Sequence, residues 1–232
     1  MQKIEYMYQE NNLVHVIQAK PSQTSKLGFG YAIQTYHWSI DQVQSLDIKQ
    51  DKKNCFDCPL SYSNGGGCYT HNGQIGAGLK AMLKRLHRLH NENKIKPYDD
   101  KLFNAFIGFV EATYPVDLTR LGAYGEAVTL RKNIVEELVR LGKKHTAYTH
   151  QWKKGNYQDY FMASVHNETQ RLASKTLGYR AFLSINKGEK VENSANCPAS
   201  KEAGKKSTCV LCGLCNGNKS GNKKDVYILK HK

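Results

Sequence analysis

Seven cysteines in 232 residues fall into two groups whose spacing is that of ligands. The C-terminal group is Cys197-Pro198 followed by Cys209, Cys212 and Cys215, four thiols within nineteen residues. Thiolates so close in sequence can surround one metal centre. A run C-x2-C-x2-C with a further cysteine followed by proline matches the ligand pattern of a [4Fe–4S] cluster, since a cubane offers each thiolate a different iron. Zinc more often takes two separated C-x2-C knuckles, and remains the alternative. The N-terminal group is Cys55, Cys58 and Cys68, with Gly65-Gly66-Gly67 before its third member. Three thiolates leave a fourth position to fill. His71 closes the set as a Cys3His zinc site. Without it, one iron of a cluster has no protein ligand and is open to a small molecule. The odd cysteine count and the absence of an apolar N-terminal export segment fit a reducing, cytoplasmic compartment.

The elements that must position these groups read as alternating strands and helices. A strand spans residues 27–33, continued by 35–38. A polar run then leads into the first cysteines, and a glycine-rich turn, Gly73 to Gly78, opens a helix from about Leu79 to His90. Further strands are expected at 116–121, 145–148, 160–165, 179–185 and 226–229, with helices between them. One carries Val128, Ile134, Val135 and Leu138 and stops at Gly142. The next is capped by Asn167 and ends at Gly178. This alternation predicts an α/β fold of parallel βα units forming a full or partial barrel over residues 1–186. A cysteine-rich metal-binding tail, 187–232, packs on it. In such folds the chemistry collects in loops at the carboxyl ends of the strands. Those loops hold Gly125-Glu126, His150 and His166, and Arg120 precedes the first of them. Tyr124, Tyr148 and Trp152 at the same ends could stack on a base or a nucleoside, with aromatic packing at a barrel mouth as the default.

The net charge is +14, from 34 Lys and Arg against 20 Asp and Glu. Such an excess favours a polyanionic partner, nucleic acid or nucleotide, through counterion release. The helix face with Lys84, Arg85 and Arg88 is the candidate phosphate-binding surface. No stretch approaches the roughly 18 apolar residues of a membrane span, and no Walker-type loop or nucleophile elbow is present.

Several segments resemble a family of small cysteine-rich proteins encoded by phages, plasmids and bacteria. They are Cys68-Tyr69, Arg120 to Glu126, Ala147 to Trp152, Phe161 to Ser164 and Cys197 to Cys215. Through its Cys-Tyr and Arg…Gly-Glu elements this group is distantly similar to radical S-adenosylmethionine barrels. The similarity implies that Cys55, Cys58 and Cys68 hold a catalytic [4Fe–4S] cluster and that Gly125 and Glu126 hold the amine of S-adenosylmethionine. His150 and Arg120 would line the substrate mouth, and the C-terminal four would hold an auxiliary cluster. A phage origin would place the protein in the host cytoplasm. The chain reads C-x2-C-x9-C where those enzymes carry C-x3-C-x2-C, and its Gly-Glu lacks a following proline. The competing expectation is a zinc-stabilised nucleic-acid-binding protein without catalysis.

Overall fold

The computed structural model describes residues 2–24, 26–66, 68, 70, 73–189, 191–201, 203–204, 207–218, 221 and 224–229. The chain opens with a meander, β1 (Ile4–Glu10), β2 (Leu13–Thr24) and β3 (Gly28–Ser39), paired antiparallel. The β1–β2 turn is Asn11-Asn12, both at positive φ (49° and 60°), the backbone of a tight hairpin that asparagine tolerates. Of these three strands only β3 is legible in the sequence pattern. The regular alternation of β1 and β2 is masked by Tyr, Gln and His at positions that prove to be buried.

From β3 onward every pairing is parallel. β4 (Val116–Tyr124), β5 (Lys144–Thr149), β6 (Met162–Val165), β7 (Ala181–Ile185), β9 (Asp225–Leu229) and β8 (Ser194–Asn196) follow in that spatial order. Among the described residues six of the eight pairings are thus parallel, and the sheet has nine strands with β1 and β8 at its edges. The helices are α1 (Ile40–Ser45), α2 (Lys52–Cys55), α3 (Gly73–Asn91), α4 (Asp100–Thr113), α5 (Lys132–Leu141), α6 (Glu168–Thr176) and α7 (Cys209–Cys212). The tail after residue 187 supplies two strands of the sheet. β9 slots between β7 and β8, with Val226 fully buried.

Several expected boundaries move. Gly73 to Gly78 belongs to α3 and is not a turn. A glycine costs a helix about 1 kcal/mol, and burial of Leu79, Leu83 and Leu86 against Val14, Val16 and Trp38 outweighs it. Val128 lies in a 3-10 turn ahead of α5, and Gly142 ends that helix in an extended conformation. Helix α4 had no counterpart in the reading; Leu102 and Phe109 point outward and blur its period. Asn167 caps α6 as expected, accepting from Gln170 N at 2.9 Å.

The two faces of the sheet differ. On one, α4 and α5 pack Phe103, Ile107, Ile134 and Leu138 onto Tyr6, Ile17, Ile33 and Leu121. On the other, α3 covers β2 and β3, while Cys197, Cys209 and Cys215 of the tail pack with Met162 and Val226.

A buried imidazole pair sits on the first face. His15 Nδ1 and His37 Nδ1 are 2.9 Å apart, and His37 Nε2 lies 2.9 Å from Thr35 Oγ1. Burial pushes His15 down to about 4 and holds His37 well below its ordinary value. Both rings are therefore neutral in the folded protein and regain a pKa near 6.5 on unfolding. Below that pH the unfolded chain binds more protons, so stability falls as pH drops from about 6.5 towards 4. His15 alone contributes up to about 3 kcal/mol to this loss. Urea midpoints at pH 7 and pH 5 check it: the midpoint should fall, and less so in His15→Gln.

Candidate metal centre and cysteine–histidine–glutamate site

Three successive parallel strands deliver the N-terminal site. β3 ends at Ser39, whose hydroxyl caps α1 by accepting from Gln42 N while Gln42 Oε1 accepts from Ser39 N, 3.1 Å each. Gln42 also donates to Ile48 O and to Tyr124 OH at the end of β4, 2.7 Å each. Buried Asp51 then folds the cysteine loop: its carboxylate accepts from the backbone of Tyr62 and Ser63, 2.9 Å each. Asn54 is the clamp between strands. Its side chain donates to His37 O at 2.9 Å, and its carbonyl accepts from Glu126 N at 2.8 Å.

Gly125 makes that approach possible. It stands at φ +74°, and a Cβ there would lie 2.4 Å from His37 O. Gly125→Ala therefore combines a left-handed backbone penalty with a backbone clash. It should cost about 2–4 kcal/mol in urea unfolding, and it should displace Glu126.

Glu126 is 5% exposed. One carboxylate oxygen accepts from Thr149 Oγ1 at 2.7 Å. The other accepts from His150 N at 3.1 Å and pairs with His150 Nδ1 at 2.9 Å. The opposite ring nitrogen, Nε2, lies 3.7 Å from Cys58 Sγ. The result is a chain, Cys58–His150–Glu126, with one member from the exit of each strand β3, β5 and β4. Burial opposes the charged imidazole. The hydrogen bonds to Cys58 and Glu126, with the charges of both, prevail and carry His150 up to about 10. His166 stacks on His150 with ring centroids 5.4 Å apart and planes within 8°. Both rings border a cavity of about 120 Å³, together with Trp152, Ser164 and Gln170.

All seven cysteines are free thiols. Burial pushes Cys55 well up, and Asp51, Cys58, Glu126 and Cys68 add to the effect. Cys68 is raised by burial too, opposed by hydrogen bonds from Thr70, whose Oγ1 is 3.0 Å from its sulfur. The three thiols are thus electrostatic neighbours. His71, the expected fourth ligand, lies outside the described residues.

The C-terminal four also come together. Cys197 N donates to Tyr227 O at 2.8 Å, which ties it to β9, and Cys209 N donates to Lys26 O at 2.9 Å ahead of β3. Cys215 O accepts from Ala147 N at 2.9 Å in β5. Thr208 caps α7, and Gly213 ends it at φ +65°. Burial lifts the Cys215 thiol to about 12; a hydrogen bond with Tyr148 opposes this, and Cys197, Cys209 and Cys212 reinforce it. Tyr148 partners this thiol and packs on Phe182, with ring centroids 4.3 Å apart. Among the described residues, no three Cys, His, Asp or Glu side chains are set as ligands of one ion. The donor chemistry nonetheless suits a soft metal: Cys58, Cys197 and Cys215 are buried and the other four thiols half-buried, and thiol protons leave when a metal takes their place.

The remaining expected site residues are dispersed. Arg120 is half-buried in mid-strand, close to Lys20, Tyr36 and Cys209 and away from the strand exits. Lys84 and Arg88 are exposed on α3. Arg85 turns inward to Glu5 at 2.6 Å, so the basic stripe is divided. Tyr124 packs against Trp38 at 4.4 Å in the core. Asn54, Thr149 and Thr70 were not singled out from sequence, because each acts through a tertiary contact that no motif marks. Among the described residues no helix is long and apolar enough to cross a membrane. No family model, curated protein or solved structure matches this chain.

Proposed function

We propose that this chain is an iron–sulfur metalloprotein built on a partial barrel. In this reading it is an enzyme similar to the radical S-adenosylmethionine class, acting on a nucleotide or nucleic-acid substrate in the cytoplasm. The observation that carries the reading is the convergence of Cys55, Cys58, Cys68, Glu126 and His150 at the carboxyl ends of β3, β4 and β5. Cys55, Cys58 and Cys68 would hold one [4Fe–4S] cluster, and Cys197, Cys209, Cys212 and Cys215 a second. Gly125 and Glu126 would receive the methionine amine of S-adenosylmethionine. Cluster and cofactor together supply one-electron chemistry.

The chain's own residues do the positioning. Glu126 fixes the His150 ring, so that its Nε2 faces the Cys58 sulfur. Cys58 is buried and Cys55 and Cys68 are half-buried, which limits the access of water to the sulfurs. Loading is tested by iron, sulfide and zinc analysis of protein isolated without oxygen. A brown protein with a broad shoulder near about 400 nm is expected, and a colourless protein with stoichiometric zinc overturns the reading.

One observation favours the alternative, a zinc-stabilised nucleic-acid-binding protein. An imidazole oriented by a carboxylate and pointed at a cysteine sulfur is also the arrangement of a zinc-ligating histidine with its supporting carboxylate. In that case His150, in place of His71, completes the three thiols, and the same analysis returns zinc without sulfide.

A further inference from the structure

The cavity of about 120 Å³ beside His150 lies where β5 and β6 end. Its walls come from three stretches of chain. Asp57 and Pro59 flank Cys58 in the N-terminal cysteine loop, and Trp152 and Lys153 follow β5. Ser164 stands in β6, His166 just beyond it, and Gln170 in the first turn of α6. Lys154 Nζ pairs with the Asp57 carboxylate and so ties the cysteine loop to the β5 exit. Flat groups dominate the walls. The His150 and His166 rings lie within 8° of parallel, the Trp152 indole is 3% exposed, and Pro59 adds a saturated ring.

Between these flat groups stand polar atoms whose hydrogen bonds are not used within the protein. Gln170 Oε1 accepts from His166 N at 2.9 Å. A backbone N–H can only donate, so this bond fixes the amide with its NH2 group free to face elsewhere. Among the described residues nothing accepts from that NH2, and the Ser164 hydroxyl has no partner either. Lys153 has no carboxylate beside it; its Nζ stands 5.1 Å from the centre of the Trp152 ring. Size then limits what can enter. Pockets for whole drug-sized ligands start at about 300 Å³, whereas an apolar cavity of about 150 Å³ holds one benzene ring. A space of about 120 Å³ bordered by the exposed Lys153 and Lys154 matches a single six-membered ring and is too small for a fused bicycle.

We infer that this cavity is a base pocket that takes the pyrimidine ring of a nucleotide beside the N-terminal cysteine group. Stacking on planar side chains serves any base, since every base has a π-face. Discrimination comes from the space, which excludes purines, and from the polar atoms. A pyrimidine carbonyl oxygen accepts from the Gln170 NH2, and the Ser164 hydroxyl, donor and acceptor at once, serves the adjoining ring nitrogen. A ring without those groups leaves both side chains unpaired, which is the stronger source of rejection. Sugar and phosphate remain outside, where Lys153 and Lys154 are exposed. This deepens the proposed function by naming the part of the substrate that is recognised, and it rests on that reading for the choice of a nucleotide.

The test is isothermal titration of the intact, anaerobically isolated protein with uridine, thymidine and cytidine against adenosine and guanosine. At least one pyrimidine nucleoside should bind more than tenfold tighter than either purine nucleoside. It should also quench tryptophan fluorescence through Trp152, since Trp38 is fully buried in the core. Gln170→Glu keeps the acceptor for His166 N and suits the first turn of a helix, but it sets a carboxylate where the NH2 stood. Binding should fall about tenfold or more in that variant, and Ser164→Leu, which fills the cavity, should abolish it. Circular dichroism and the thermal midpoint confirm that both variants are folded. Uridine 5′-monophosphate against a single-stranded oligouridylate separates a free nucleotide from a base within a strand, and preference for either keeps the pocket. Equal or tighter binding of purines overturns it. So does a pyrimidine preference that survives in the folded Gln170 and Ser164 variants, or the absence of binding by every probe. Metal and sulfide content of the same samples keeps the two readings apart. Zinc protein with the pyrimidine preference retains the pocket and sinks the iron–sulfur assignment, and brown protein without the preference does the reverse.

Discussion

If the two cysteine groups hold four-iron clusters as proposed, Cys58→Ala should remove roughly half of the iron and sulfide from anaerobically isolated protein and leave the fold in place, since one of the two centres would be lost. Cys58 is the thiol on which the other site elements bear. It lies 3.7 Å from His150 Nε2, and its backbone is fixed by Cys55 O, Ser61 N and the Asn64 side chain independently of the sulfur. The loop is also pinned by Asp51 and Asn54, so the substitution should leave it folded. Far-UV circular dichroism and urea unfolding read the fold, and metal analysis reads the site. Cys68→Ala should act alike. If either variant unfolds as its metal is lost, the N-terminal group is a structural staple, as the zinc reading requires.

Asp225→Ala should destabilise the protein by about 3–5 kcal/mol, because it strands the buried Arg171 guanidinium. The Asp225 carboxylate is 1% exposed. One oxygen accepts from Arg171 Nη1 at 2.7 Å and Lys175 Nζ at 3.0 Å, and the other from Ala181 N at 2.9 Å. Arg171 keeps only Glu168, which is itself 55% exposed. Asp225 opens β9, and β9 holds Cys197 through Tyr227 O. On the proposed reading the same variant should therefore lower metal occupancy of the C-terminal cysteines without touching a proposed ligand. Asp225→Asn, which preserves shape, should lose less. Urea unfolding and metal analysis of both variants measure the two effects. Equal stability of Asp225→Ala and the parent would show that the tail is held by other contacts, the leading candidate being Arg180, which donates to Leu214 O and Gly217 O at 2.7 Å.

What could be read from sequence was what depends on local chemistry. The two cysteine groups announce themselves by spacing. The alternation from β4 to β7 shows in apolar runs bounded by turn residues, and the Asn167 cap shows in residue type alone. The opening hairpin is not legible, because β1 and β2 bury Tyr8, His15 and Gln18, whose contacts run across strands and not along them: Tyr8 stacks on His15, His15 Nδ1 faces His37 Nδ1, and Gln18 donates to Glu5. Nor is the extent of α3, where tertiary burial of Leu79, Leu83 and Leu86 overrides the glycines before them.

The cysteines set the question of function, and the fold changed its terms. By itself the sequence determined that thiols would gather in two groups, since a short loop keeps ligands within reach of one centre whatever surrounds it. Only the tertiary structure decided what stands beside the incomplete group. His150 and Glu126 are 92 and 68 residues from Cys58, and no local rule links them. Parallel pairing of β3, β4 and β5 brings their exits to one edge, where Asn54 and Gly125 lock the two loops at hydrogen-bonding distance. Long-range register sets that juxtaposition, and it exists only once the sheet has formed.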